Sequence, residues 1–274
     1  ILLNARLSEK SAKGYARVKG LTRSMLQQLS QLLAQDTATQ QRYIELGITA
    51  EKTQVLGNIK FDITAPQSFV EHAANLKQEW QLAGRKIMIL ASTHAPEEKE
   101  ILSALKSALD SNPKLLCIVV PRHPERFDEV FQAAQSLNLI TQRRSLAQNI
   151  EADTQVYLAD SMGEMWLWYA LSQACYVGGS LNEPGGGHNI LEPIALNVPT
   201  VLGKNYFNFQ TIVDEFVQAD AVEVVQDAQQ AAEVLLELLQ DQIKAQRLNT
   251  AAQRIMQLNT GSLAKHIQVI DQYL

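Results

Sequence analysis

Ala174-Cys175-Tyr176-Val177-Gly178-Gly179-Ser180-Leu181-Asn182-Glu183-Pro184-Gly185-Gly186-Gly187-His188-Asn189-Ile190-Leu191-Glu192-Pro193 runs from an apolar segment through a glycine-rich loop into a helical pattern. The first four residues read as a buried strand. Ile190 to Leu196 reads as the start of a helix, with Asn189 as N-cap. A strand feeding such a loop and then a helix gathers free backbone N–H groups and the positive end of a helix dipole at one point. That arrangement favours anions, phosphate above all. The same glycines also suit a tight turn that needs only positive φ, and the loop alone leaves both readings open.

The alternation continues on both sides of the loop. Continuous apolar runs at 87–91, 115–120, 139–140, 156–158, 199–202 and 222–225 read as strands. Amphipathic stretches at 96–109, 124–136, 162–172 and 209–218 read as helices between them, and two or three more helices fill 226–274. Strands with no polar face, separated by helices, imply a parallel sheet covered on both sides. Ligands of such sheets bind beyond the carboxyl ends of the strands, so the loops after Ala91, Val120, Leu158 and Val177 are expected to converge.

Upstream, residues 1–57 carry a shorter series: a strand at Ile1–Asn4, a long helix at Ser8–Leu29, an apolar segment at Leu32–Gln35, a helix from Thr37 to Leu46 stopped by Gly47, and a strand at Thr53–Leu56. Residues 58–66 read as a linker, followed by an amphipathic stretch at Phe69–Leu82, so that 67–274 forms the second domain. The chain opens at Ile1 inside a strand-like run without a methionine, and is therefore expected to be the C-terminal portion of a longer protein.

Composition narrows the function. A net charge of −5 over 274 residues gives no general attraction to nucleic acid or anionic lipid. No apolar run approaches the roughly 20 residues of a membrane span. Cys117 and Cys175 both sit in apolar strand-like runs, as small core residues without metal or disulfide spacing.

Four strand-end loops carry the candidate chemistry. Ser92-Thr93-His94-Ala95-Pro96-Glu97-Glu98 offers hydroxyls that cap a helix or donate to a phosphate, and a Glu pair suited to the helix dipole. Pro121-Arg122-His123-Pro124-Glu125-Arg126 holds Arg122 between rigid residues, for phosphate or base recognition or for a surface ion pair with Glu125. Ala159 to Met165 brings Gly163, where a ligand can approach the backbone, and Glu164 in a first helical turn. The opening loop adds His188, Asn189 and Glu192; a carboxylate one turn into the helix fits a ribose hydroxyl beside a phosphate.

Together with Asn4-Ala5-Arg6-Leu7-Ser8, Gly57-Asn58-Ile59-Lys60-Phe61-Asp62, Met162-Gly163-Glu164 and Gly186 to Pro193, these motifs resemble, in order and along the whole chain, the 3-deoxy-D-manno-octulosonic acid (Kdo) transferases of lipopolysaccharide assembly. The resemblance implies an α/β fold of glycosyltransferase B architecture: a complete C-terminal Rossmann-like domain that binds CMP, plus the tail end of an N-terminal, acceptor-binding Rossmann-like domain. It implies transfer of Kdo from CMP-Kdo to a lipid A precursor with inversion, without cofactor or metal, at the cytoplasmic face of the bacterial inner membrane. Membrane association would come through an N-terminal part of the full-length protein. Carried over by motif, Pro121, Arg122, Met162, Gly163, Glu164, Asn189, Ile190, Leu191 and Glu192 line the CMP site, and Lys60 stabilises the transition state. The family's general base belongs to a region absent from this chain, so the chain as given is expected to bind CMP without transferring Kdo. Another nucleotide-sugar enzyme of the same architecture and a non-catalytic nucleotide-binding module are the alternatives.

Overall fold

The computed structural model describes residues 1–273. Leu274, the last residue of the expected second domain, lies outside the described residues. The elements in chain order are β1 (Leu2–Ala5), α1 (Glu9–Ala16), α2 (Lys19–Gln27), β2 (Leu32–Ala34), α3 (Thr37–Leu46), β3 (Thr53–Val55), α4 (Gln67–Glu79), β4 (Lys86–Thr93), α5 (Glu97–Ser111), β5 (Leu115–Pro121), α6 (Phe127–Ser136), β6 (Thr141–Arg143), β7 (Val156–Leu158), α7 (Met165–Leu171), β8 (Ala174–Val177), α8 (Leu191–Ala195), β9 (Thr200–Gly203), α9 (Gln210–Gln218), β10 (Glu223–Val225), α10 (Ala228–Gln240), α11 (Gln242–Asn259) and α12 (Ser262–Ile270).

Contacts divide these elements into two compact units. One comprises Ile1–Ile63 together with the segment from Met256; the other is Thr64–Ile255. The sequence reading divides the chain differently, carrying the last helix with residues 67–274. The bonds that gather α12 into the first unit come from Asp62, whose carboxylate accepts from Gly261 N at 2.5 Å and Leu263 N at 2.7 Å and so caps that helix. Asn4 adds a second tie, donating its backbone N–H to the buried His266 Nε2 at 3.3 Å.

In the first unit β1, β2 and β3 form a parallel sheet in that order, over a core of Leu7, Leu26, Leu32, Leu46 and Ile48. The single helix expected over 8–29 is two helices. The chain turns at Val18, where φ −116° and ψ 44° leave the helical region. Gly14 and Gly20 flank that break and weaken the helix around it.

The second unit holds a seven-stranded sheet in the order β10-β9-β8-β4-β5-β7-β6, with every recorded pairing parallel. Its continuous apolar strands are buried, as two-sided helical cover requires: Met88, Leu90, Cys117, Val119, Tyr176 and Val201 share one core with Leu105 of α5 and Leu235 of α10. From β4 the chain builds outward in one direction through β5, then returns to add β8, β9 and β10 on the other side. The reversal falls between β4 and β8, which are paired through Ile89 with Cys175, Leu90 with Tyr176 and Ala91 with Val177. A crevice outside the carboxyl ends at such a reversal is where α/β sheets bind ligands.

One strand sits two residues later than its apolar pattern suggested. Leu139 and Ile140 read as strand, whereas the ladder uses Thr141–Arg143. Asn138 takes a left-handed conformation (φ 55°), and Leu139 N donates to Ala134 O, so the apolar residue closes the end of α6 before the strand begins.

Candidate functional site

The switch point between β4 and β8 is built around one buried carboxylate. Glu97, at the first turn of α5, is 1% exposed. Its Oε1 accepts from Ser180 N (3.0 Å), Leu181 N (2.8 Å) and the Tyr176 hydroxyl (2.7 Å). Its Oε2 accepts from His94 N (2.9 Å) and Gly179 N (2.8 Å). Burial pushes the Tyr176 hydroxyl far above its ordinary pKa, which keeps it a donor. Of the loop and helix start that read from sequence as an anion cradle, the first N–H groups, those of Gly179, Ser180 and Leu181, are thus bonded to an anion of the chain itself, whereas Glu97 accepts none from 189–192 among the described residues. Gly178 permits the close approach: a Cβ there would stand 2.6 Å from Thr93 Cα and 2.8 Å from Glu97 Oε2.

The neighbouring Glu98, 2% exposed, takes a different partner. Arg126 grips it with two hydrogen bonds, of 2.7 and 3.1 Å, and also pairs with Glu129 at 3.1 Å. The Glu97-Glu98 pair that fits the helix dipole therefore also anchors α5 to the loop after β8 and to the turn after β5. A helix-dipole explanation from sequence was sufficient on its own, and it hid both longer-range partners.

Three histidines meet at the same strand ends. His94 Nε2 and His188 Nε2 are 2.8 Å apart and their rings are stacked at 5.1 Å. His123 meets His94 edge-on at 5.0 Å. Burial, then the neighbouring His94, Arg122 and His123, lower His188 to a pKa of about 4. His94 is also lowered, by burial first and against the pull of Glu97. The pair is therefore neutral near pH 7, with one Nε2–H donating to the other ring's Nε2. In sequence, His94 and His123 lie inside motifs with no role assigned to them. Their positions just past β4 and β5 were the available signal.

Arg122 follows β5 with its side chain exposed, and its backbone N–H donates to Thr93 O at 3.0 Å. Glu125 is 3.7 Å from His123 Nδ1, and no ion pair with Arg122 is recorded among the described residues. Pro121, buried at the end of β5, aligns with Thr93 of β4.

The loop after β7 is held by two arginines that sequence reading did not assign. Glu164 bonds Arg144 at 2.8 and 3.2 Å and also accepts from the Ser161 hydroxyl. The Arg144 and Ser161 bonds outweigh burial and lower the Glu164 pKa. Arg143 pairs with the fully buried Asp160 at 2.7 Å and with Asp128 at 2.7 Å. Met162 is 62% exposed, and Gly163, at φ 82°, has open space where a Cβ would stand.

After β8 the segment from Asn189 to Glu192 divides by side chain. Ile190 and Leu191 are fully buried. Asn189 Oδ1 accepts from Leu191 N at 3.2 Å, while its Nδ2 lies 3.4 Å from Glu192 Oε1. Burial raises the Glu192 carboxyl above its usual range, in part opposed by Asn189. Lys60 belongs to the first unit. It is exposed on a short 3-10 turn, Ile59–Phe61, that Asn58 caps by accepting from Lys60 N at 3.1 Å. Asn4 Oδ1 accepts from Ile59 N at 3.2 Å, which brings the two N-terminal motifs together. Among the described residues, no three His, Cys, Asp or Glu side chains are arranged to share a metal ion, and no helix is long and apolar enough to cross a membrane.

Comparison with known proteins gives the same layout. Residues 1–63 match the 3-deoxy-D-manno-octulosonic-acid transferase (kdotransferase) family, and residues 73–255 match the glycosyl transferases group 1. The whole chain is 37% identical to a 3-deoxy-D-manno-octulosonic acid transferase of Haemophilus influenzae, of which it covers 64%, and 30% identical to one of Bordetella pertussis, of which it covers 63%. The chain thus spans less than two thirds of these relatives' length. Among solved structures, the C-terminal CMP-Kdo binding domain of WaaA from Acinetobacter baumannii is 61% identical, with a TM-score of 0.69 over 70% of this chain and all of that one. Anabaena HepE in complex with UDP and glucose shares the fold at 20% identity and a TM-score of 0.52, over 99% of this chain and 70% of that one.

Proposed function

We propose a function from one premise: the chain belongs to the 3-deoxy-D-manno-octulosonic acid transferase family, its larger part being a group 1 glycosyl transferase domain of glycosyltransferase B type. Residues 64–255 bind CMP-Kdo, and the whole protein transfers Kdo, with inversion and without a metal, to a lipid A precursor at the inner membrane. Residues 1–63 belong to the acceptor-binding half. One observation carries the donor reading: the 61% identical structure that covers 70% of this chain is a CMP-Kdo binding domain.

The local chemistry agrees with a donor of one phosphate. Glu97 occupies the N–H groups of Gly179, Ser180 and Leu181, and the exposed Arg122 stands at the end of β5 as a cation for a ligand's phosphate. A CMP-sugar needs few such cations; a diphosphate needs more. Glu192, held beside Asn189, serves a ribose hydroxyl, and the backbones of Met162, Gly163 and Ile190 frame the base and sugar. By the family resemblance Lys60 stabilises the transition state, where a placed cation has its largest effect.

Calorimetric titration tests the site. CMP binds and UDP binds more weakly. Arg122→Ala and Glu192→Ala each weaken CMP about ten- to a hundredfold, the loss of one hydrogen bond to a charged group. Unchanged affinity in both variants, or tighter binding of UDP, contradicts the assignment.

A further inference from the structure

We propose that His94 and His188 form a one-proton donor pair for the ligand's phosphate: neutral as the pair stands, the two rings take up one proton from solvent as the phosphate binds, and the imidazolium then donates to it alongside Arg122. The inference rests on the reading of this crevice as a CMP site.

Three observations lead to it. First, the N–H groups of Gly179, Ser180 and Leu181, at the start of the loop that reads as an anion cradle, are bonded to Glu97 together with His94 N. Second, the side chains at the reversal between β4 and β8 are those of His94 and His188, 2.8 Å apart at Nε2, with His123 and the exposed Arg122 beside them. Third, the neutral pair spends its only Nε2–H between the rings. It becomes a stronger anion donor by adding a proton at the Nδ1 of the donating ring, which leaves the Nε2–H···Nε2 bond in place.

The surroundings explain why the proton is not already there. The titratable and charged groups facing His188 are His94, Arg122 and His123; those facing His94 are Glu97, Glu98, His123 and Arg126. Glu98 is neutralised by Arg126, and Glu97 is shared among four backbone N–H groups and a hydroxyl. Burial and the nearby Arg122 therefore prevail and keep the pair neutral. A phosphate placed against Arg122 reverses the sign of the local field, and an added anion favours the charged imidazolium.

The test measures proton uptake directly. CMP is titrated calorimetrically at pH 7.5 in two buffers of different ionisation enthalpy, well above the phosphate's own second pKa of about 6. The expected result is uptake of about one proton per CMP, none with cytidine, and none in either His94→Gln or His188→Gln. CMP affinity is also expected to fall as pH rises from 6.5 to 8, up to about tenfold per unit, although the phosphate itself gains charge over that range. Imidazole 15N spectra of the unsubstituted chain, with its five histidines, give a readout that needs no variant: CMP moves one of His94 and His188 to the imidazolium signature. CMP binding without proton uptake overturns this inference and leaves the site reading intact. Uptake that persists in the double glutamine variant also overturns it. No CMP binding at all overturns the site reading, and this inference with it.

Discussion

Two short glycine-containing turns in this chain look alike in sequence and are put to different use. At Gly57–Asp62 the backbone is closed by Asn58, which accepts from Lys60 N, and by Asn4, which accepts from Ile59 N, while Asp62 reaches out to accept from Gly261 N and Leu263 N. At Gly178–Leu181 the oxygens come from Glu97, 82 residues before Gly179, and they bond the N–H groups of Gly179, Ser180 and Leu181. Neither turn is an empty anion cradle. They differ in what remains at the mouth. The first presents Lys60; the second presents Arg122 and a neutral histidine pair. The glycine-rich loop therefore marks the reversal between β4 and β8, while its first N–H groups are held within the chain by Glu97.

Removing the carboxylate acceptor at each turn sharpens the contrast. Glu97→Ala leaves four N–H groups, two of them buried, and the buried Tyr176 hydroxyl without their acceptor. The expected cost is about 3–5 kcal/mol, lowering the unfolding midpoint by roughly 10 °C; a calorimetric scan measures it. A change below about 1 kcal/mol would show that the loop does not depend on this carboxylate. Lys60→Ala acts on chemistry rather than stability. Kdo transfer by the protein carrying it is expected to drop about 10²–10³-fold with CMP affinity unchanged, and a loss of CMP affinity instead would move Lys60 into the donor site. Asp62→Ala uncaps α12, so amide exchange at Gly261 and Leu263 is expected to quicken about tenfold, the equivalent of a lost cap.

A pH slope gives a further test. His188 has a lower pKa in the folded chain, about 4, than its ordinary 6.5, so between these values the unfolded chain binds the extra proton. Stability therefore falls as pH drops through 6.5 and levels off below about 4. His188→Gln flattens that part of the curve in pH-dependent thermal unfolding. An unaltered slope would place the titration on other groups.

Much of this was legible in the residues. The strands at 87–91, 115–120 and 174–177 are continuous apolar runs, and burial on both sheet faces leaves such runs no other use. Gly47 stops α3 in the left-handed conformation its position suggested, at φ 113°. The helix expected at 8–29 failed where local propensity is weakest, around Val18 between two glycines. Bonds across long sequence gaps were not legible. Asp62 meets Gly261 199 residues later, which draws α12 away from the expected division of the chain. Glu97 looked complete as a helix-dipole acid, and nothing local to it announces the loop it fills. Arg143 and Arg144 were passed over for a similar reason: Asp160 and Glu164 lie across β7 from them and are joined only once that strand is placed.

The central claim is that Glu97 keeps the loop while Arg122 and the histidine pair receive the nucleotide phosphate. A crystal structure of the chain with CMP tests it most directly. The account predicts the phosphate within hydrogen-bond distance of Arg122 and of His94 or His188, with Glu97 still bonded to the N–H groups of Gly179, Ser180 and Leu181. A phosphate seated on those three N–H groups, with Glu97 displaced from them, would contradict it.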